Sequence, residues 1–295
     1  MDKKTKGYAL TFASLAFIGL SFVANAAAVK EIASPVIGPF YVFLAAFVAS
    51  LILVMQRRET GHMIESMKKY RKTVIAIGVL NAIGSIALFF ALDIIGPSLT
   101  GFFSRFSTIF IVILSALFLN EKLGRIEIVG AAMILIGSMS ISYTGGPTVV
   151  EGMAFALLSA VMLAIVQTLS KKYIEEIQPA SLNALRTLFL FLSVLLVVAA
   201  TGNFYMPSPA TVALLFIAGL SGAFLSAYLR YRAMELIGLS KIALIRALDP
   251  LVIGTYSFFL LGEVMTGAEL LGSFVVFAGL MVFMFGNGKS AVIAA

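Results

Sequence analysis

Residues 101–123 read GFFSRFSTIFIVILSALFLNEKL, an apolar run of membrane-spanning length that contains a charged residue, Arg105. A second run, IGLSKIALIRALDPLVIGTYSFFLLGE at 237–263, places Arg246 in a similar setting. A helix that crosses the hydrocarbon core needs about 20 apolar residues, and a charge near its centre is costly unless it faces protein, water or a ligand. The two runs therefore predict membrane-spanning helices, each with an arginine that marks a candidate functional site.

The composition of the chain extends this interpretation to its whole length. Of 295 residues, 61% are hydrophobic and 12% are charged, and the mean hydropathy is +1.06. An ordinary soluble domain has about a quarter charged residues, so this chain has too much apolar surface for water to be its bulk solvent. We predict an all-α integral membrane protein with ten transmembrane helices. The ten runs are 8–29, 36–56, 73–95, 98–119, 126–144, 151–170, 179–201, 210–232, 240–261 and 267–286.

The positive charges are unevenly distributed between the predicted loops. With the N-terminus placed in the cytoplasm, the inner segments hold 17 of the 21 Lys and Arg residues, including Arg230 and Arg232, and the outer loops hold only Lys30. This bias sets the orientation of multi-pass proteins, so both termini are predicted to be cytoplasmic, in a cell (inner) membrane. The net charge of +7 then faces anionic lipid head groups and is not a sign of nucleic-acid binding.

The sequence repeats itself at an offset of 142 residues. ALDIIGPS at 91–98 aligns with AMELIGLS at 233–240, and near the N-terminus an offset of 145 aligns Gly7 with Gly152. Four further glycines, two in each half, align at the offset of 142 residues. Within each half the two glycines are seven residues apart and so share one helix face, where small residues allow close packing. These predicted packing residues are Gly130, Gly137, Gly272 and Gly279.

Each half of the chain carries five of the predicted spans. Because five is odd, the second copy must enter the membrane from the opposite side, which is the inverted-topology arrangement of many secondary transporters. We therefore predict one transport domain made of two interlocking five-helix repeats, residues 1–146 and 147–295.

Four short motifs give the chain a family resemblance. LFLNEKL at 117–123 and FLLGEV at 259–264 end one span in each half, FIGLSFVANAAAVK at 17–30 lies in the first span, and QPASLNALRTL at 178–188 begins the seventh. Together they resemble the EamA-type drug/metabolite transporter superfamily, although Ile18 stands where the family usually has a tryptophan.

The resemblance implies an EamA-like repeat in each half and a central cavity lined chiefly by spans 1, 3, 4, 6, 8 and 9. It implies export of amino acids or related metabolites by alternating access, with import or exchange left open. In the first half, Val42 stands where the family often has an arginine. The motifs identify the family and leave the solute undefined.

Arg105 and Arg246 are predicted to approach the bilayer midplane from opposite sides. Arg105 lies about seven residues into the fourth span, or about 10 Å deep, and Arg246 lies about six residues into the ninth. A guanidinium matches the paired oxygens of a carboxylate or phosphate, so both arginines are candidates for holding an anionic or zwitterionic solute. The alternative is that Arg246 only pairs with Asp249, while Arg105 bonds to carbonyls freed in a neighbouring helix.

Other polar and aromatic residues at a similar depth complete the predicted site. Pro250 is predicted to kink its helix, and Arg186 to have a structural role with its head group extended to the inner surface. The candidate substrate-binding residues are Arg105, Arg246, Asp249, Asn25, Asn81, Gln167, Phe102, Phe106 and Tyr228.

The chemistry-bearing residues argue against an enzyme. The chain has no cysteine, and its single histidine, His62, lies in a charged loop, so neither a metal site nor a cofactor is predicted. FMFGNGKS at 283–290 ends like a phosphate loop but has Phe283 at the first glycine position, so ATP is not the expected energy source. The expected partners are a small-molecule solute and membrane lipids, with no nucleic acid, and a homodimer is left open. The alternative functions are a membrane scaffold or receptor and, less favoured, an intramembrane enzyme acting on lipid.

Overall fold

The computed structural model describes most of the chain, and all statements below refer to the described residues. At a few positions inside helices only the backbone is described; these include Phe102 and Pro250. The described residues are 2–34, 36–104, 106–120, 124–142, 150–202, 204–246, 248–261, 267, 271–272, 274–275, 277–279 and 281–282.

Helices account for all of the regular secondary structure in these ranges. Twelve are α-helices, and one segment within a long helix is a π-helix, which we call π1. In chain order the elements are α1 (Lys3–Val29), α2 (Ile37–Gln56), α3 (Thr60–Lys69), α4 (Arg71–Ser104), α5 (Phe106–Phe118), α6 (Arg125–Ser142), α7 (Val150–Tyr173), α8 (Pro179–Thr201), α9 (Pro209–Ala218), π1 (Gly219–Ser226), α10 (Ala227–Met234), α11 (Leu239–Arg246) and α12 (Asp249–Leu261).

Seven helical segments of the described chain are long and apolar enough to cross a membrane, so the protein is a multi-pass membrane protein. The predicted all-α class is confirmed, whereas the predicted count of ten spans is not confirmed by these residues. The seven segments are Lys3–Val29, Ile37–Gln56, Arg71–Ile95, Val150–Tyr173, Pro179–Thr201, Pro209–Met234 and Leu239–Leu260.

One predicted boundary differs from the structure. The third and fourth spans were expected to separate at 96–97, but the backbone of α4 is helical from Arg71 to Ser104. A proline inside a helix removes one backbone hydrogen bond and kinks the helix, and here Pro97 does not end it.

Local sequence signals explain where several helices begin and end. Pro179 opens α8, where its missing N–H is not needed, and Gly202 closes it with a positive φ of 66° that suits glycine. Ser208 precedes α9 and accepts a hydrogen bond from the Thr211 amide at 3.2 Å. These caps satisfy or remove backbone groups that lipid cannot hydrogen-bond.

Helix π1 packs so closely against α1 and α2 that two of its positions have room only for glycine. A Cβ built on Gly219 would lie 2.2 Å from the Val42 carbonyl oxygen, and one on Gly222 would lie 2.2 Å from Ser21 Oγ. The Ser21 hydroxyl donates to a carbonyl at the end of α9. The two glycines therefore allow a direct backbone contact between the halves of the chain.

Two contacts recur at the two offsets found in the sequence, 145 residues for the glycines and 142 for their partners. A Cβ on Gly7 would lie 2.8 Å from Ile237 Cγ2, and a Cβ on Gly152 would lie 2.5 Å from Ile95 Cγ2. The glycines are a predicted pair, and the two isoleucines are 142 positions apart. The first helix of each half therefore packs on the same position of the other half.

The outer surface of the bundle is apolar. Large side chains at the periphery are among the most exposed in the structure, which is the arrangement expected where lipid is the solvent. Examples are Leu117, Phe118, Leu196 and Phe259. The charged groups described next lie on the inside.

Candidate functional site

Arg186 lies in the interior of the bundle and has three hydrogen-bond acceptors. Its side chain is 4% exposed, and Nη1 donates to Asn81 Oδ1 of α4 at 3.0 Å. Nη2 donates to Asn183 Oδ1 at 3.0 Å and to the carbonyl of Ala223 in π1. The expectation that its head group reaches the surface is therefore corrected. Interior acceptors bind both terminal nitrogens of the guanidinium, so the head group is held inside the bundle.

Asn183 extends this network to a further helix. Its Nδ2 donates to Ser50 Oγ of α2 at 3.0 Å and to the carbonyl of Phe224 in π1 at 3.3 Å. The π1 carbonyls can accept side-chain donors because a π-helix departs from the regular α-helical bonding pattern. Helices α2, α4, α8 and π1 are thus joined by one buried polar network.

Tyr231 of α10 lies beside two buried arginines. The centre of its ring is 6.0 Å from Arg186 Cζ and 5.9 Å from Arg230 Cζ. The phenol oxygen is 3.4 Å from Ser170 Oγ. An aromatic face attracts a guanidinium, so Tyr231 helps to hold both arginines in the interior.

Arg230 is the most unusual charge in the described chain. Its side chain is 7% exposed, yet among the described residues no group accepts a hydrogen bond from it and no carboxylate lies within ion-pair distance. Among the described residues, Arg246, Tyr231, Arg186 and Asp249 lie close enough to interact with it electrostatically. The sequence had assigned Arg230 to the inner surface charges. This assignment was wrong because Arg230 is buried in the bundle, whereas Arg232, two residues farther and on a different helix face, lines the polar cavity.

Arg246 and Asp249, three residues apart, form the ion pair that the sequence suggested as one alternative. Arg246 Nη2 lies 3.1 Å from Asp249 Oδ2, and the two side chains are 13% and 15% exposed. The pair spans the break between α11 and α12, near Pro250, which has no N–H to continue α11. A cation at the end of one helix and an anion at the start of the next also complement both helix dipoles.

These residues form a positively charged interior, which we call the arginine cluster (Arg186, Arg230 and Arg246, with Asp249). Three guanidiniums face one carboxylate, so the cluster has an excess of positive charge. The Nε atom of each arginine is buried and has no hydrogen-bond partner among the described residues. Buried donors are nearly always paired, so an unsatisfied set of this kind calls for an explanation.

A polar cavity of about 330 Å³ lies at the end of the bundle where α8 begins and α10 ends. Its wall combines charged residues of the α2–α3 connection with residues of α8 and α10. The lining residues are Arg57, Glu59, Gln178, Pro179, Ala180, Tyr228, Arg232 and Glu235. We call this end of the bundle the cavity end.

Contacts across the cavity join the two halves of the chain. The Arg57 guanidinium lies 5.4 Å from the centre of the Tyr228 ring, and Arg57 Nη1 lies 3.9 Å from Glu59 Oε1. With its amide nitrogen towards Glu59, Gln178 donates to both carboxylate oxygens at 3.0 and 3.2 Å. Burial raises the pKa of Glu235, whose carboxylate is also 3.1 Å from Arg232. The wall is thus a network of charges that closes this end.

The opposite end of the bundle is also tied between the halves. The Ala33 amide donates to the Tyr205 hydroxyl, and the Tyr41 hydroxyl lies 3.4 Å from the Tyr205 carbonyl oxygen. Thr211 donates to the Glu31 carboxylate. Contacts between the two halves of the chain therefore close both ends of the bundle around the polar interior.

The structure places the remaining predicted site residues as follows. Asn81 accepts from Arg186, and Tyr228 lines the cavity. Gln167 is buried in α7, and Asn25 Oδ1 is buried without a hydrogen-bond partner among the described residues. Phe106 stacks on Phe103 with ring centres 6.2 Å apart.

Some predicted residues cannot be placed in this way. Arg105 lies outside the described residues, and the side chains of Phe102 and Pro250 are not described. Their roles stay predictions. The four glycines at 130, 137, 272 and 279 are buried, as a packing role requires, but that role stays a prediction too.

Sequence reasoning missed Arg230, Tyr231 and the π-helix. The only signal for Arg230 was its position in YLRYR at 228–232, where two arginines two residues apart must lie on different helix faces. GLSG at 219–222 marks the start of π1. Sequence alone does not show which neighbours a helix face will meet.

Comparisons with known proteins agree with this architecture. The family model described as EamA-like transporter family matches the chain twice, over residues 5–143 and 150–285. One solved structure, described only as a crystal structure of a protein, matches with a TM-score of 0.78 at 16% identity, covering 96% of this chain and 97% of that one. At this identity the likeness shows a shared fold. Comparison with the curated proteins gave no match.

Proposed function

The chain belongs to the EamA-like transporter family, and from this premise we propose that it is a secondary transporter of small anionic or zwitterionic metabolites, such as amino acids. Members of this family are membrane transporters. The proposed mechanism is alternating access, in which the two halves rock about a site near the middle of the membrane. The protein is proposed to catalyse no chemical reaction and to use no ATP.

The arginine cluster is the single observation that carries the choice of solute. A charge inside a membrane protein is costly and usually marks a substrate or ion pathway. Three guanidiniums and one carboxylate leave an excess of positive charge, which an anionic solute would offset while it is bound. A neutral or cationic solute would leave that cost in place.

Two features support alternating access. Contacts between the halves close both ends of the bundle, and opening either end requires only that its own contacts break. In the second half, α11 ends at Arg246 and α12 begins at Asp249, with Leu248 in a turn before α12. Interrupted helices at such sites are common in secondary transporters and give the two halves places to bend.

The proposed orientation follows from the charge bias of the loops. It places both termini and the cavity end in the cytoplasm, and the membrane is proposed to be the cell (inner) membrane. Export is the proposed direction, with exchange as the simplest coupling.

Solute counterflow tests the function directly. Purified protein is reconstituted into liposomes preloaded with unlabelled glutamate or succinate, and uptake of the labelled solute is followed against protein-free liposomes. We expect a transient accumulation of label with at least one acidic solute. The absence of counterflow for both acidic solutes and for neutral amino acids would contradict transport.

Cysteine labelling tests the mechanism. Because the chain has no native cysteine, a single introduced cysteine is the only thiol that a maleimide can label. Ala184→Cys reports on the cavity end, where Ala184 packs with Tyr228, and Val36→Cys reports on the opposite end. Both positions are buried. A transported solute should change the maleimide labelling rates of the two reporters in opposite directions. A parallel change at both ends would be inconsistent with alternating access.

A further inference from the structure

Arg230 is a buried cation with no hydrogen-bond acceptor or ion-pair partner among the residues that the structure describes. Arg246 has Asp249, and Arg186 has two asparagine side chains and a carbonyl, but no described residue accepts a hydrogen bond from Arg230. Its guanidinium is also close enough to Arg186 and Arg246 for their charges to repel it. The charged Arg230 guanidinium is therefore buried in an environment that is energetically unfavourable unless a further group binds to it.

We propose that Arg230 is the principal binding residue for the oxyanion of the solute, a carboxylate or a phosphate, with Arg186 and Arg246 beside it. Arginine suits this role because its planar fork of N–H donors matches the paired oxygens of either group. Binding of an oxyanion supplies the acceptor that Arg230 lacks and offsets the repulsion between the three guanidiniums. The biological role of this site rests on the proposed transport function, but anion binding to it can be measured without measuring transport.

Tyr231 fixes the geometry of the site. Its ring lies about equally far from Arg186 and Arg230, at 6.0 and 5.9 Å, and its hydroxyl is held near Ser170 at 3.4 Å. The ring therefore contacts both guanidiniums and helps to hold them in place. An anion that meets both arginines binds groups that are already positioned and loses less entropy on binding.

The burial of Arg230 favours a soluble anion over a lipid head group. At 7% exposure the residue is enclosed by the bundle, whereas a lipid phosphate stays at the membrane surface. The polar cavity offers an approach, since it is lined by Ala180 at the start of α8. Arg186 lies about 9 Å farther along the same helix at 1.5 Å per residue.

Thermal denaturation of the full-length protein in nanodiscs measures binding. The chain lacks tryptophan and cysteine, so helix melting followed by circular dichroism is the suitable readout. The probes are succinate and glycerol 3-phosphate, with succinamide and glycerol as neutral counterparts, at constant ionic strength. In phosphatidylcholine nanodiscs we expect at least one of the two anions to raise the Tm, and neither neutral compound to do so.

Three variants assign the effect to Arg230. In Arg230→Gln the apparent Kd for the anion should rise roughly ten- to hundredfold, as expected for the loss of a charge-assisted hydrogen bond. Arg230→Lys keeps the charge without the fork, so its loss should be smaller, and it serves as the test if the glutamine variant does not fold. Arg71→Gln, which removes an exposed arginine at the start of α4, should bind like the wild type.

Several results would overturn the assignment. These are no Tm increase with either anion, an equal increase with the neutral compounds, or an unchanged Kd in both Arg230 variants. Nanodiscs that contain phosphatidylglycerol separate the two sources of phosphate. If that lipid raises the Tm in an Arg230-dependent way and the soluble anions add nothing, the ligand is a lipid and the solute assignment is wrong.

The outcomes for binding and for transport are distinguishable. Counterflow of a neutral solute together with no anion binding would overturn the role of Arg230 and leave the transport function standing. Anion binding that depends on Arg230, without counterflow of any solute, would support the site and contradict transport.

Discussion

Asn81 and Ala223 both accept hydrogen bonds from Arg186, and they lie 142 positions apart, the offset that relates the two halves of the chain. One guanidinium therefore contacts the same position in both halves, on α4 and on π1. In the first half, Val42 stands where the family often has an arginine, and it is buried and apolar. The polar centre of the bundle is thus asymmetric although the scaffold around it is repeated.

The Asn81 contact is expected to contribute to stability. Asn81→Leu removes an acceptor from a buried guanidinium and should destabilise the protein by about 1–3 kcal/mol. Ser193→Ala is a suitable control because the Ser193 hydroxyl bonds only within its own helix, to the Phe189 carbonyl. Circular dichroism melting of both variants measures the difference. Equal Tm values for the two variants would show that the hydrogen bond between Asn81 and Arg186 contributes no more to stability than the Ser193 hydroxyl does.

The buried ion pair should depend on both partners. Asp249→Leu leaves Arg246 without its carboxylate and should cost about 3 kcal/mol, and much of this should return in the double variant with Arg246→Met. Arg232 and Glu235 form a matched pair, with the same spacing and the same distance of 3.1 Å but more exposed side chains. The same cycle there should give less than about 1 kcal/mol. Similar coupling energies in both cycles would mean that burial does not strengthen the inner pair.

The close approach of π1 to α2 predicts a steric effect. Gly219→Ala puts a methyl group 2.2 Å from the Val42 carbonyl oxygen, so backbone must move and stability should fall by about 1–3 kcal/mol. Gly61→Ala meets no atom within 4 Å and lies in helix α3, where alanine should stabilise by up to about 1 kcal/mol. Opposite signs of the two Tm shifts are expected. A tolerated Gly219→Ala would show that the two helices are not in fixed contact.

The raised pKa of Glu235 predicts a pH effect at the cavity end. A carboxyl group with a raised pKa binds its proton more tightly in the folded protein, so stability increases as the pH falls through that pKa and decreases as it rises. The charges that face it are Arg232, Glu59, Lys171 and Lys6.

Melting between pH 7.5 and pH 5 measures this effect in the wild type and in Glu235→Gln. The variant should lose part of the stabilisation that acidification gives the wild type. Glu65→Gln, at an exposed position in α3, should keep it. If Glu235→Gln follows the wild-type pH profile, another group is responsible for the response.

Much of the architecture could be predicted because its signals are periodic and redundant. Apolar runs predicted a multi-pass helical protein, and short motifs predicted the family, which the two matched ranges confirm. The sequence repeat aligned Gly7 with Gly152 at an offset of 145, and the two glycines make corresponding contacts in the structure. The Arg246–Asp249 pair followed from helical spacing alone.

The site was harder to predict because it depends on contacts between helices that are distant in sequence. Arg230 was grouped with the surface charges because it lies near a helix end and next to Arg232, which does reach the polar cavity. Arg186 was expected to extend to the surface because its acceptors on α4 and π1 are not visible from its own helix. The continuity of the α4 backbone through Pro97, where a separation at 96–97 was expected, likewise has no distinct sequence signal.

The π-helical turn determines which side chain occupies the middle of the protein. Each residue added to or removed from a helix rotates everything after it by about 100°. Deleting one residue between Gly219 and Ser226 would bring Tyr231 to the place now held by Arg230. The identity of the central charge is therefore fixed by the length of a short segment upstream, so that insertions and deletions there would retune the carrier without any substitution at the cluster itself.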